Sequence, residues 1–99
     1  MRFEWDNAKN RINQRKHGGL AFESAALVFD DPNVIFYKDR IVSGEQRWHA
    51  IGAVETAVLL VFHVNRLESA DGEEEIIRII SAREASQRER RIYVQQVTE

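Results

Sequence analysis

The run Ile76-Ile77-Arg78-Ile79-Ile80-Ser81-Ala82-Arg83 places guanidinium groups within and at the end of an apolar stretch. Holding such a charge away from water costs several kcal/mol unless an anion or a hydrogen-bond partner meets it. Arg78, flanked by isoleucines, must therefore find an internal partner or open into a wet groove. A groove gathering Arg47, Arg66, Arg78 and Arg83, with Tyr93 to donate a hydroxyl, suits a phosphodiester. The planar guanidinium fork matches phosphate oxygens two at a time. The competing reading is structural, with the same arginines paired to Glu45, Glu55, Glu75 and Glu89 as surface charges usually are.

Several other side chains admit two readings. His17, beside Lys16 at a helix end, can exchange a proton near neutral pH or serve as a helix-terminal cation. Glu45 is a candidate base or a partner of Arg47, and Tyr93 a phosphate donor or an anchor for the last helix. Trp5 can stack on a nucleobase or act as the hydrophobic staple that precedes the first helix. His63, inside an apolar strand, reads as a core histidine, and His49 stays open. The histidines form no H-x-x-x-H or H-E-x-x-H pattern and the chain has no cysteine, so neither a metal nor another cofactor is expected. No serine–aspartate constellation suggests a hydrolase triad, and no glycine-rich loop suggests a nucleotide pocket.

The elements that must carry these residues follow from pattern. Asp6 caps a first helix with Ala8 and Ile12 as a narrow apolar stripe, and His17-Gly18-Gly19 ends it. Phe22, Ala25, Ala26 and Phe29 recur at helical spacing, and Asp30-Asp31-Pro32 stops that second helix. After Pro32 the period changes to that of strands. Val34 to Tyr37 is a short strand, followed by a polar loop from Lys38-Asp39-Arg40 to Ser43-Gly44. Gln46 to Gly52 and Ala57 to Val64 form a hairpin, and a turn marked by Asp71-Gly72 leads into Glu75 to Ile80. Ser81-Ala82-Arg83-Glu84 reads as a capping box that opens a final helix reaching Tyr93. Phe3-Glu4 can add an edge strand.

The expected class is α+β: two N-terminal helices, an antiparallel β-meander sheet with helices against one face, and a C-terminal helix, all in one domain over residues 1–99. Strand alternation puts Ile76, Arg78 and Ile80 on one face and Ile77, Ile79, Ser81 and Arg83 on the other. The arginines then converge only if a break after Ser81 redirects Arg83.

Ninety-nine residues with 43% hydrophobic and 30% charged content make one ordinary globular core. The net charge of −2 argues against a simple nucleic-acid binder. Its distribution softens that objection. Lys9, Arg11, Arg15, Lys16 and His17 crowd the first helix, while Glu68, Asp71, Glu73, Glu74 and Glu75 gather elsewhere. Trp5, Lys9 and Lys16 are therefore the candidate nucleic-acid contacts. No apolar run approaches the roughly 20 residues needed to cross a bilayer, so a cytoplasmic protein without a membrane partner is expected.

Ile79-Ile80-Ser81-Ala82-Arg83 with Ala85, Glu89-Arg90 and Tyr93 resembles the C-terminal signature of the BrnT family. The opening Phe3-Glu4-Trp5-Asp6, Lys9, Asn13 and Lys16-His17-Gly18 is similar too. The middle matches in Phe22, Ala25, Val28-Phe29-Asp30, Glu45 with Arg47, Ile51-Gly52 and Arg66. Gly19 departs from the family's usual aliphatic residue. The resemblance implies a RelE-like fold and a toxin of a bacterial type II toxin–antitoxin system, an endoribonuclease whose cleavage of RNA inhibits translation and growth. It also implies a BrnA-like ribbon-helix-helix antitoxin that contacts operator DNA and carries a toxin on each side, giving a heterotetramer. A non-catalytic co-repressor of the same fold is the alternative. The acidic total is compatible with messenger RNA already bound to the ribosome as the substrate.

Overall fold

The computed structural model describes residues 1–67 and 74–98. Strand β1 (Arg2–Glu4) leads into helix α1 (Asn7–Lys16), and helix α2 (Phe22–Ala25) runs on as a 3₁₀ turn over Ala26–Asp30. Strands β2 (Ile35–Val42), β3 (Glu45–Val54), β4 (Ala57–Leu67) and β5 (Glu75–Glu84) follow, and helix α3 (Gln87–Thr98) closes the chain. The turn expected at Asp71-Gly72 lies outside the described residues.

The class is α+β, with a five-stranded sheet in the order β1-β5-β4-β3-β2. Strands β2 to β5 pair antiparallel in sequence order, as a meander does. The N-terminal edge strand is present, but β1 runs parallel to β5, so the sheet is mixed. The polar segment Lys38-Asp39-Arg40, read above as a loop, is part of β2. Its pairing with β3 is irregular between Lys38 and Ile41. The reversal is confined to Ser43-Gly44, both at positive φ (50° and 81°) as a tight two-residue hairpin requires.

Helices cover both faces of the sheet rather than one. On the first, Phe22, Ala25 and Val28 pack against Ala50, Leu59, Val61, Ile79 and Ala82. On the second, Tyr93 of α3 packs against Ile51, Val58 and Leu60. Alternation along β3 and β4 makes the two sets neighbours in sequence, which is why Ala57 to Val64 is apolar throughout. Gly52 lets the 3₁₀ turn close on the sheet: a Cβ there would lie 2.8 Å from Val28 Cγ1 and 3.1 Å from the Val28 carbonyl oxygen.

Asp6 caps α1 as its sequence indicated, accepting from the Lys9 N–H at 3.0 Å. The buried face of that helix is another matter. Ala8 and Ile12 point outward, and Asn10 and Asn13 are the buried residues. Asn13 donates to the carbonyls of Ala82 (2.9 Å) and Leu20 (3.1 Å) and accepts from the Ala82 N–H (3.1 Å) and the Ser81 hydroxyl (3.2 Å). Beyond Arg78, β1 no longer pairs with β5, and the Asn13 amide meets the backbone there as a neighbouring strand would. Asn10 accepts from the Phe22 N–H at 2.8 Å and so fixes the start of α2. Backbone groups that need partners outweigh an apolar stripe of two residues.

The capping box also sits elsewhere. The pattern S-x-x-E occurs at Ser81–Glu84 and again at Ser86–Glu89, and only the second caps a helix. Glu89 accepts from the Ser86 N–H at 2.7 Å, and Ser86 Oγ accepts from the Glu89 N–H at 3.2 Å. Residues 81–84 stay in β5 because they pair with Phe62 to Leu59 of β4, and ladder hydrogen bonds prevail over a local helix signal. Ser86→Ala is therefore expected to destabilise the fold by about 1 kcal/mol in urea melts, the usual loss of an N-cap.

Candidate functional site

A single extra residue in β5 decides where the arginines go. His63 pairs with Ile79 and Phe62 with Ser81, so Ile80 is bulged out of register. The bulge reverses the alternation: Ile79 and Ala82, three residues apart, both face α1 and α2. Arg78 and Arg83 pair with Val64 and Leu60, which lie on the opposite face, so these two arginines share it. Arg66 on β4 is in phase with Val64 and Leu60. Arg47 precedes Trp48, whose partner His63 faces the other way, so Arg47 joins the same face. Convergence thus arises within the strand and not from a break after Ser81.

All four arginines occupy that face, but not as a free cluster. Arg66 Nη2 lies 2.8 Å from Glu4 Oε1, and Arg78 Nη1 lies 3.7 Å from the same oxygen. Two guanidinium groups share one carboxylate. The Arg78 side chain is 43% exposed, so it opens to water and is not sealed among the isoleucines. Arg83 makes a bidentate pair with Glu89, at 2.8 and 3.0 Å. Chiefly through that pair, the Glu89 carboxyl is held down at a pKa of about 2, and it remains charged. Arg47 has its Nε buried with no hydrogen-bond partner among the described residues. Glu4, absent from the carboxylates anticipated as partners, was hidden by its distance in sequence from Arg66 and Arg78.

Next to these cations the face is aromatic. Phe62 sits edge-on to His49 with ring centroids 4.5 Å apart, and the Arg83 guanidinium carbon is 5.9 Å from the same ring. His49 Nε2 lies 3.1 Å from Asp39 Oδ2. Hydrogen bonding to the Arg40 backbone, followed by the His49 contact, lowers the Asp39 pKa. A cleft of about 260 Å³ opens between this part of the sheet and the first turns of α3, lined by Tyr37, His49, Ser86, Arg88, Glu89 and Ile92 among others. Tyr37, His49 and Arg88 line this cleft and Asp39 contacts His49, and sequence reading missed them or left them open. The available signal was alternation, which puts Arg47 and His49 in phase.

The remaining candidates lie apart. Tyr93 is buried, and its hydroxyl donates to Asp31, which also accepts from the Ala53 N–H at 2.8 Å. Burial and then the Asp31 carboxylate push the phenol up to about 12, which suits an anchor between α3 and the 3₁₀ turn. Trp5 packs edge-on against Phe22 of α2, ring centroids 6.1 Å apart, at the margin of the first core and not as a staple on α1, since the fourth residue of α1 is the polar Asn10. Glu45 is exposed at the start of β3. Lys9, Lys16 and His17 line a shallow groove of about 180 Å³ along the edge of β5, with Ile80 and Ser81. His17 also lines a larger groove with Arg83 and Glu84, so the edge of β5 is where the basic helix approaches the arginine set. His63 is fully buried, and burial lowers its pKa to about 4, leaving it neutral.

Among the described residues, no three of His, Cys, Asp or Glu come together as ligands for a metal ion. No helix among them is long and apolar enough to cross a membrane. The family model described as the ribonuclease toxin BrnT of type II toxin–antitoxin systems matches residues 5–89. No curated protein matches the chain.

Proposed function

The chain belongs to the BrnT family of type II toxin–antitoxin ribonuclease toxins, and on that premise we propose that it is a metal-independent endoribonuclease whose cleavage of cytoplasmic messenger RNA inhibits translation and growth. The observation that carries this reading is the bulge at Ile80, which brings Arg78 and Arg83 onto the face already holding Arg47 and Arg66. In the proposed reaction the ribose 2′-hydroxyl attacks the adjacent phosphorus. The arginines hold the phosphate in line and stabilise the charge that builds on its oxygens. Arg66 and Arg78 share the Glu4 carboxylate, and Arg78 also lies within electrostatic reach of Asp6, so two guanidinium groups stand side by side where an anion can be met. Lys9 and Lys16 extend the phosphate-binding surface along the edge of β5.

A type II toxin has a protein antitoxin as its partner. We assign that role to a BrnA-like ribbon-helix-helix protein, which contacts operator DNA and holds two toxins in a heterotetramer. A second reading, a non-catalytic co-repressor, has one observation in its favour: Glu89 already fills the guanidinium fork of Arg83.

Purified protein is expected to cleave RNA in EDTA, leaving a 2′,3′-cyclic phosphate and a 5′-hydroxyl, and its expression should arrest bacterial growth unless the antitoxin is co-expressed. Activity lost in EDTA and restored by magnesium overturns the mechanism. Normal growth at verified expression, with no cleavage, favours the co-repressor.

A further inference from the structure

We propose that His49, beside Asp39 in the cleft next to the first turns of α3, is the base that takes the proton from the attacking 2′-hydroxyl. The inference rests on the ribonuclease reading and completes its site, since the arginines supply charge but no proton acceptor. Imidazole is the side chain whose ordinary titration falls at neutral pH, so it can accept a proton there and release it again. The other candidates are placed against this role. Tyr93 is buried on Asp31, His17 caps α1 beside the edge of β5, and Glu45, though in phase with Arg47 and His49, is exposed at the start of β3 and does not line the cleft beside Arg83.

His49 is placed for it in three respects. Its ring and the Arg83 guanidinium flank Phe62, at 4.5 and 5.9 Å, so a phosphate near Arg83 brings its ribose toward the imidazole. Its side chain is 28% exposed and lines the cleft, so substrate can reach it. Asp39 Oδ2 lies 3.1 Å from Nε2, close enough to attract a protonated ring though not aligned as a hydrogen bond; Nε2 is buried, which leaves Nδ1 as the ring nitrogen open to a proton. An acid that orients the ring and steadies the imidazolium is how histidine bases are commonly supported. The irregularity of β2 between Lys38 and Ile41 falls at Asp39. Among the described residues, the charged and titratable groups near the imidazole are Asp39 and Tyr37 from β2, Arg88 and Glu89 from α3, Arg83 across Phe62, and His63 of β4, whose pKa the charge of His49 helps to lower.

The step balances without a further reactant. The 2′-oxygen–phosphorus bond forms as the phosphorus–5′-oxygen bond breaks. The 2′-hydroxyl proton passes to Nδ1, and the departing 5′-oxygen takes a proton from water. The imidazolium then returns its proton to solvent.

The test uses the full chain and a short fluorescent RNA, with rates measured from pH 5 to 9 and melting recorded for every variant. His49→Asn is expected to slow cleavage at least 100-fold, the usual range for a lost general base, and to abolish the fall in rate on the acid side. Asp39→Asn, which spoils positioning, should slow cleavage about tenfold and retain an acid limb at a shifted pH. Both should melt near wild type, because both side chains are partly exposed. Added imidazole should restore part of the rate to His49→Gly and none to Arg78→Ala. A folded His49→Asn protein that cleaves at the wild-type rate, or that slows while keeping the same acid limb, overturns the proposal. Wild-type protein that cleaves no RNA overturns the ribonuclease reading itself, before any variant is compared.

Discussion

Arg78→Ala protein should melt within about 1 kcal/mol of wild type and yet lose RNA cleavage by roughly 100-fold or more. The stability half follows from geometry. The side chain is 43% exposed and its carboxylate partner is 3.7 Å away, a separation at which an ion pair in contact with water contributes little. A buried structural pair would behave otherwise, since stranding one charge costs about 3–5 kcal/mol. The activity half follows from the role of the guanidinium as a stabiliser of transition-state charge. Arg78→Lys separates charge from shape: it keeps the cation but loses the two-point fork, so a large loss of activity is expected there too. Melting combined with an RNA cleavage assay decides the matter. Full activity in Arg78→Ala removes this residue from the site. Arg83 is a less clean probe, because its partner Glu89 also caps α3.

The largest loss of stability is expected at a residue with no proposed part in catalysis. Asn13→Ala should destabilise the protein by about 3 kcal/mol, since it leaves the Ala82 N–H and carbonyl and the Leu20 carbonyl buried without their partner. Asn13→Leu should fare no better, because a larger apolar group fills space but supplies neither donor nor acceptor. Urea titrations measure both. A loss below about 1 kcal/mol, the worth of a single ordinary hydrogen bond, would mean that water replaces the amide and that α1 is not fixed to β5 through this side chain.

The contrast between Asp6 and Asn13 shows what was legible from sequence and what was not. Asp6 caps the helix it begins, so every group involved lies within a few residues. The class, the β3–β4 hairpin and the two-sided apolarity of β4 were legible for the same reason: period and turn residues act locally. Asn13 acts on a backbone 69 residues away, and nothing near it indicates that β5 lacks a neighbour there. Ser81–Glu84 and Ser86–Glu89 carry the same motif, and the choice between them lies in the pairing with β4. The bulge at Ile80 is illegible for a related reason. It exists only relative to the partner strand, and one residue of slip moves Arg83 from one face to the other. The arginines were therefore recognised by type, whereas their common face and their Glu4 and Glu89 partners required the fold. His49 remained undecided because Asp39 seemed to lie in a loop.

The irregular stretch of β2 has a consequence for the molecule at high concentration. An outer strand of eight residues is a template on which a second chain can grow a sheet, and that growth is how soluble domains turn into fibres. Here the template is interrupted. Pairing slips between Lys38 and Ile41, and the interruption falls at Asp39 and Arg40, whose charges an incoming strand would have to approach. Short as it is, an irregular charged segment of this kind is a device expected to guard against self-templated polymerisation. Straightening it, by deleting one residue or exchanging its charges for β-branched apolar side chains, would favour aggregation even where the monomer became more stable.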